Sequence, residues 1–275
     1  MSGPRKALVT GAGGGIGAAI SRALDARGYY LILVDREMAP LDAVAATLRS
    51  APEKLLCDLS SRTDVERLCD TVANAHPDLD VLVNNAGIGI PGPVVELGQD
   101  LLDAHLEINL RAPVRLMRAI APQMIARGHG SMVATVSLGG IISLKDSAIY
   151  SASKFGLRGF LAGFHQEMAA HGVRVSGVYP AAVDTPMLHH EALHGGSVLN
   201  FVDRVMSPED IAKATVKAIE TGKLEVYAPW SASLMARFFG AFPWMIRPIL
   251  PLMERIGEKG RLKFIARKGF SAQQH

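Results

Sequence analysis

"KALVTGAGGGIGAAI", Lys6 to Ile20, runs from an apolar segment through a glycine cluster into small and apolar residues. Lys6–Thr10 reads as a buried strand, and the pattern from Ile16 to Arg27 reads as a helix. Glycine between them lets the backbone turn sharply and approach a pyrophosphate, whose charge then rests at the N-terminus of the following helix. The spacing Gly11, Gly15, Gly17 is GxxxGxG. Any tight strand-to-helix turn needs glycine. Position is what marks Gly11, Gly15, Ile16 and Gly17 as a cofactor loop: they follow the first strand and open a helix.

The same alternation continues outward. "YLILVD", "KLLC", "LDVLVN", "SMVATVS", "VRVSGVYP" and "LEVYAP" are apolar runs without strict alternation, as expected of strands buried on both faces. Helical patterns separate them at Leu41–Arg49, Val65–Ala75 and Leu101–Ala126. Strand and helix in strict alternation predict an α/β fold, a doubly wound parallel sheet flanked by helices. In "SPEDIAKATVKAIETG", Ser207 suits an N-cap, Pro208 the first turn, Asp210 the reciprocal cap and Gly222 the position past the end.

Eighteen residues past Gly17, "LILVDRE" ends the second strand on Asp35. An acid at this offset accepts the ribose hydroxyls of NAD, whereas the 2′-phosphate of NADP would meet a carboxylate. Arg36 sits beside Asp35 rather than replacing it. NAD is the expected cofactor, with NADP the alternative.

Composition limits the function classes. Apolar residues make up 49% and charged residues 20% of 275, which suits a folded globular chain and excludes wholesale disorder. The net charge of +3 is too small to imply nucleic acid. Cys57 and Cys69 form no CxxC pair, and the opening stretch carries no apolar signal core; together they predict a cytoplasmic chain with reduced thiols. Mean hydropathy is +0.20, and no stretch approaches the roughly 20 apolar residues of a spanning helix.

The tail differs from the body. From Arg237 to Lys268, eight basic residues face Glu254 and Glu258, a surplus of six, so the remainder carries a deficit of three. "WSASLMARFFGAFPWMIRPILPLM" mixes aromatics with arginines and prolines. Two readings stand: a segment lying at a membrane interface, giving peripheral contact, or a cover for the substrate mouth or a partner subunit. Residues 1–230 are expected to form the main domain and residues 231–275 a C-terminal extension. Either reading of the tail suits a lipophilic substrate.

"IYSASKFGL" places Tyr150 four residues before Lys154, on one face of a helix. A phenol has an ordinary pKa near 10, and lowering it by roughly 3 units takes about 4 kcal/mol. One ammonium at about 4 Å, in an effective dielectric near 20, supplies energy of that order. Such a pair can move a proton near neutral pH.

With "TGAGGGIG", "NNAG" and "YSASK" present in order, the chain resembles the short-chain dehydrogenase/reductase family over roughly its first 230 residues. The resemblance implies a seven-stranded Rossmann-type sheet, nicotinamide-dependent hydride transfer and homodimers or homotetramers. It implies that Asp58 touches the adenine, Asn85 lines the cofactor, and Val183 and Thr185 meet the nicotinamide end and phosphates. It makes Ser137, Tyr150 and Lys154 catalytic, with Asn109 holding a water that links Lys154 to solvent. Pro180-Ala181 replaces the family's Pro-Gly, and Ser137 stands without the usual second serine. The resemblance makes residues 1–230 an NAD(P)-binding catalytic domain with a substrate lid near 186–205; His189, His190 and His194 read as part of that lid, and no metal is expected.

The expected activity is hydride transfer between NAD(H) and a lipophilic secondary alcohol or ketone. The alternatives are an NADPH-dependent ketone or acyl-chain reductase and, in a different class, a non-catalytic nicotinamide-sensing scaffold.

Overall fold

The computed structural model describes residues 3–270. Seven strands, β1 (Lys6–Thr10), β2 (Tyr30–Asp35), β3 (Glu53–Leu56), β4 (Val81–Asn84), β5 (Gly130–Thr135), β6 (Val173–Pro180) and β7 (Glu225–Ala228), form one sheet in the order β3-β2-β1-β4-β5-β6-β7. All neighbours pair in parallel. The sequence expectation of a doubly wound sheet is borne out. The order reverses between β1 and β4, and their carboxyl ends open the crevice where ligands bind in such sheets.

Helices cover both faces. On one side lie α1 (Gly15–Asp25), α2 (Met38–Ala45) and α8 (Pro208–Thr221), which bury Ile20, Leu24, Leu41, Ile211 and Ile219 against Val9, Leu33 and Val83. On the other, α3 (Arg62–Ala75), α5 (Ala112–Arg127) and α6 (Ala148–Ala169) bury Val65, Leu68, Leu116, Met117, Leu157 and Leu161 against Leu8, Ile32 and Leu82. Strands sealed between two helical layers have no polar face, which explains their near-continuous apolar character. Ser207 and Asp210 form the reciprocal cap of α8, and Gly222 ends it in the left-handed conformation, as the sequence predicts.

The long helical pattern after β4 is interrupted. α4 (Gln99–Leu106) passes into a π-helical turn, Glu107–Arg111, before α5. That turn rotates Asn109 into the interior, where it is fully buried. Apolar periodicity does not reveal one extra residue in a turn.

The extension folds back on the lid. α7 (Pro186–His194) and a short 3-10 turn (Val198–Phe201) receive α10 (Leu250–Lys268), while α9 (Trp230–Ala241) lies between β7 and the cavity. Leu188, Ala192, Phe201 and Phe264 form a small separate core there. Arg261 donates to the Ala192 carbonyl at 2.7 Å, and Lys268 pairs with Asp184 at 2.6 Å. Among the described residues no helix is long and apolar enough to cross a membrane.

Candidate active site

Thr10 ends β1 by accepting hydrogen bonds from the amides of Asn85 at 3.0 Å and Ala86 at 3.2 Å, so the ends of β1 and β4 are fixed together. The chain then turns at Gly11, whose φ is +63° and whose missing Cβ would lie 2.8 Å from the Ala86 Cα. A Cβ on Gly17 would stand 2.0 Å from the Gly11 carbonyl oxygen. Neither position admits a side chain, and the loop is thereby held against the start of α1. Gly15 opens that helix after Gly14, which provides no side-chain cap, leaving the first N–H groups available to an anion.

Asp35 closes β2 beside this loop, accepting from the Gly13 amide at 2.9 Å and the Arg36 amide at 2.8 Å. Arg36 pairs with Glu37 at 3.2 Å. Asp58 is exposed after β3, where it accepts from the Ser60 amide and hydroxyl. Asn85 donates its side-chain amide to the carbonyls of Thr10 and Gly11 and accepts from Thr135 at 3.2 Å.

A cavity of about 300 Å³ adjoins the loop. Ile16, Asn85, Val183 and Thr185 line it together with Ser137, Tyr150 and Lys154. Thr185 caps α7 and Val183 bridges to Met206. Ala181 donates to the Ala228 carbonyl at 2.8 Å, so the residue replacing glycine after Pro180 keeps the β6–β7 register. Leu138, Ile142, Leu199, Met235 and Phe239 make the far walls apolar.

Ser137 follows β5, and its hydroxyl accepts from the Gly139 amide at 2.9 Å. Tyr150 projects from the first turn of α6 between two glycines. A Cβ on Gly139 would lie 2.9 Å from one edge of the ring, and one on Gly89 would lie 3.3 Å from the other. The Lys154 ammonium, buried one turn along, donates to the Thr135 carbonyl at 3.0 Å and stands 5.8 Å from the Tyr150 ring centroid. Its other two N–H groups have no hydrogen-bond acceptor among the described residues.

The electrostatics correct one expectation. The spacing predicts that Lys154 lowers the phenol, yet burial pushes Tyr150 up to about 12, with Ser137 opposing the rise and Glu191 adding to it. The same burial pushes Lys154 down to about 8. Desolvation disfavours both charges in an enclosed site. The ammonium is also engaged by the Thr135 carbonyl at 3.0 Å. Lys154 alone does not make this phenol acidic.

Asn109 does not line the cavity. Its side chain accepts from the Ile88 amide at 2.9 Å and donates to the Ile88 carbonyl at 2.8 Å and to Ser153 at 3.1 Å. It therefore fixes the wall segment after β4, and a Cβ on Gly87 would lie 3.0 Å from its oxygen and 3.3 Å from the Lys154 nitrogen.

The histidines of the lid take separate partners. His189 bonds Asp184 at 2.6 Å and packs on Phe264 and Phe270, while His190 stacks on His194. Burial pushes Cys57 up to about 12 and Cys69 to about 11, which keeps both protonated near neutral pH.

Sequence reasoning passes over Thr10, Thr135 and Glu191. Thr135 acts through its backbone carbonyl, which has no residue-type signature. Glu191 stands on α7 between His190 and His194, and its spacing from Leu188 and Ala192 marks it as an acid beside the buried face of a helix. It lines the cavity, accepts from Asn200 at 2.7 Å, and is pushed up to about 7 by burial.

The family model for short chain dehydrogenases matches residues 5–194. A D-threitol dehydrogenase from Mycolicibacterium smegmatis is 35% identical over 218 residues, 76% of this chain and 84% of the relative. Among solved structures, a short-chain dehydrogenase from Sphingobium yanoikuyae in complex with NADPH superposes with a TM-score of 0.77 at 27% identity, covering 88% of this chain and 95% of the other. An alcohol dehydrogenase from Comamonas testosteroni, specific for bulky-bulky ketones, gives 0.75 at 25% identity, covering 90% and 95%.

Proposed function

The chain belongs to the short-chain dehydrogenase/reductase family, NAD(P)-dependent oxidoreductases of CH–OH groups, and from that premise we propose that it interconverts a lipophilic secondary alcohol and its ketone with NAD(H). The observation carrying this reading is one cavity in which Ser137, Tyr150 and Lys154 share a lining with apolar walls supplied partly by the tail. The relative specific for bulky-bulky ketones supports a sizeable apolar substrate. A scaffold reading is disfavoured because a non-catalytic protein has no use for a half-buried, glycine-flanked phenol lining a cavity beside a buried ammonium.

The residues fit a nicotinamide dinucleotide. Gly11 and Gly17 hold the loop flat against the start of α1, and the two free N–H groups of Lys154 suit ribose hydroxyls. When bound, the cofactor takes up or releases the hydride and, in its oxidised form, brings a positive charge. Tyr150 takes the hydroxyl proton in oxidation and returns it in reduction. Ser137 hydrogen-bonds the substrate oxygen and orients it toward the phenol. Burial holds the phenol near 12; the Lys154 ammonium one turn along favours its ionised form, and the positive charge of an oxidised nicotinamide bound there would favour it further. Asn109 keeps the Ile88 segment and Ser153 in place behind Lys154.

NAD is favoured over NADP by the Asp35 carboxylate at the loop. The relative with NADPH bound supports the alternative of an NADPH-dependent ketone or acyl-chain reductase. Initial rates with NADH and NADPH on a panel of ketones decide it: a large NADH preference, relaxed in Asp35→Ala, is expected, and equal rates would remove Asp35 from the cofactor assignment.

The outer surface of the tail supports peripheral contact with an anionic bilayer by a cytoplasmic enzyme. Trp230, Phe238, Trp244 and Leu252 are exposed. Of the tail's basic residues only Arg261 and Lys268 are ion-paired among the described residues, which leaves Arg247, Arg255, Lys259 and Lys263 for headgroups. The full chain is expected to pellet with phosphatidylserine-containing vesicles and less so as Trp244→Ser/Leu252→Ser; no pelleting of the parent discards the contact. Pairing of copies through α5 and α6, where Phe155 is exposed, is tested by sedimentation.

A further inference from the structure

The cavity has a second polar end that the proton-transfer chemistry does not use. Glu191, on α7, and Asn200, on the 3-10 turn that follows, meet across the lid, with the Asn200 amide donating to one carboxyl oxygen at 2.7 Å. Both residues line the same cavity as Tyr150. The other carboxyl oxygen and the Asn200 carbonyl oxygen accept no hydrogen bond from the described residues, and neither is sealed from solvent-accessible space. Leu199 and Leu188 flank the pair with apolar surface, and Met235 and Phe239 stand on the tail wall.

A carboxyl group placed in an apolar chamber is costly unless a ligand or a hydrogen bond compensates it. Asn200 supplies one bond. The remaining acceptors call for a donor from whatever fills the chamber. A second cation would share the enclosed space with the Lys154 ammonium, which disfavours an amine. A neutral hydroxyl donates its one proton to the open carboxyl oxygen without adding charge.

Resting on the hydride-transfer reading above, we propose that Glu191 and Asn200 form a hydroxyl-recognition subsite, so that the preferred substrate is an apolar ketone or secondary alcohol bearing a second, remote hydroxyl group. Glu191 acts here as a specificity residue. The lid carries it, so substrate engagement and the seating of α7 against α10 are coupled through one helix. A site built to hydrogen-bond a hydroxyl also rejects analogues lacking it, since its polar groups are then left unpaired.

The test uses the full chain with NADH or NADPH, whichever supports turnover, and a series of medium-chain ketones in which a hydroxyl is moved along the chain, beside the unsubstituted parent. kcat/KM is measured for the parent protein, Glu191→Gln and Glu191→Leu, and ligand-induced Tm shifts are measured in parallel. One hydroxyl position should be preferred at least tenfold over the parent ketone. Glu191→Leu should reduce that ratio toward one, and Glu191→Gln should retain part of it. A lid damaged in general would lower both substrates together and leave the ratio unchanged, which would overturn the proposal, as would the absence of any preferred position. A Tm preference for one hydroxyketone that Glu191→Leu abolishes, found without turnover of any ketone, would keep this subsite and refute the hydride-transfer reading instead.

Discussion

Asn109 satisfies both backbone polar groups of Ile88, accepting its N–H at 2.9 Å and donating to its carbonyl at 2.8 Å. A π-helical turn within one long helix brings it there, and Ser153 of α6 takes the remaining amide proton at 3.1 Å. One buried side chain thus joins the wall after β4 to the helix that carries Tyr150 and Lys154. Asn109→Ala leaves the Ile88 groups unpaired and should destabilise the protein by about 2–4 kcal/mol. Hydrogen exchange should quicken most across residues 86–92. Thermal unfolding and exchange mass spectrometry check this, and Asn109→Asp, which keeps an acceptor for Ile88, should fall between the two.

Gly139 faces the Tyr150 ring edge, where an added Cβ would stand 2.9 Å away, and donates its amide to Ser137. A methyl group at 2.9 Å from the ring must move the phenol or the serine. Gly139→Ala should lower kcat at least tenfold, equivalent to roughly 1.4 kcal/mol of transition-state stabilisation, while Tm changes little. Steady-state kinetics beside a melting curve separate the two effects.

The tail is seated by two glycines of α10. A Cβ on Gly257 would stand 2.2 Å from the Val198 carbonyl oxygen, and one on Gly260 2.0 Å from that of Phe201. Gly260→Ala should lift α10 from the lid, raise KM for apolar ketones more than it lowers kcat, and expose the segment between α9 and α10 to proteases. Limited proteolysis followed by kinetics measures both.

The architecture is legible in the sequence because burial on both faces leaves a residue-level mark. Leu8, Ile32, Val83 and Val133 are all fully buried, and apolar β-branched runs bounded by helical periods report it. The glycine loop is legible for the same reason, since Gly11 and Gly17 stand where no side chain fits. The π-turn at Asn109 is not, because one extra residue scarcely alters a helical pattern. The acidity of Tyr150 is not legible either: spacing gives proximity to Lys154, but whether attraction or desolvation wins depends on enclosure, which the lid and tail provide. Glu191 escapes notice because the cavity it lines is assembled from distant parts of the chain, including Met235 and Phe239 on the tail.

Glu191 makes stability depend on pH. Its folded carboxyl is raised from 4.5 to about 7, with Asn200 opposing the rise, so between those values the folded state binds more protons than the unfolded chain. Stability contributed by this group is present below about 4.5 and is lost as pH rises through about 7. Glu191→Gln removes the titration and should be more stable than the parent at pH 8 by on the order of 2 kcal/mol, with the gap closing toward pH 5. Chemical denaturation at the two pH values gives the comparison.

The most direct test of the central assignment removes one oxygen atom. In Tyr150→Phe, the glycine-flanked ring and the buried Lys154 remain, so binding of NADH, followed by its fluorescence, should stay within about threefold of the parent. Ketone reduction, followed by nicotinamide absorbance, should fall by at least about a thousandfold, in line with the loss of a general acid and its positioned proton. Turnover within tenfold of the parent, with cofactor binding intact, would contradict the role given to this phenol.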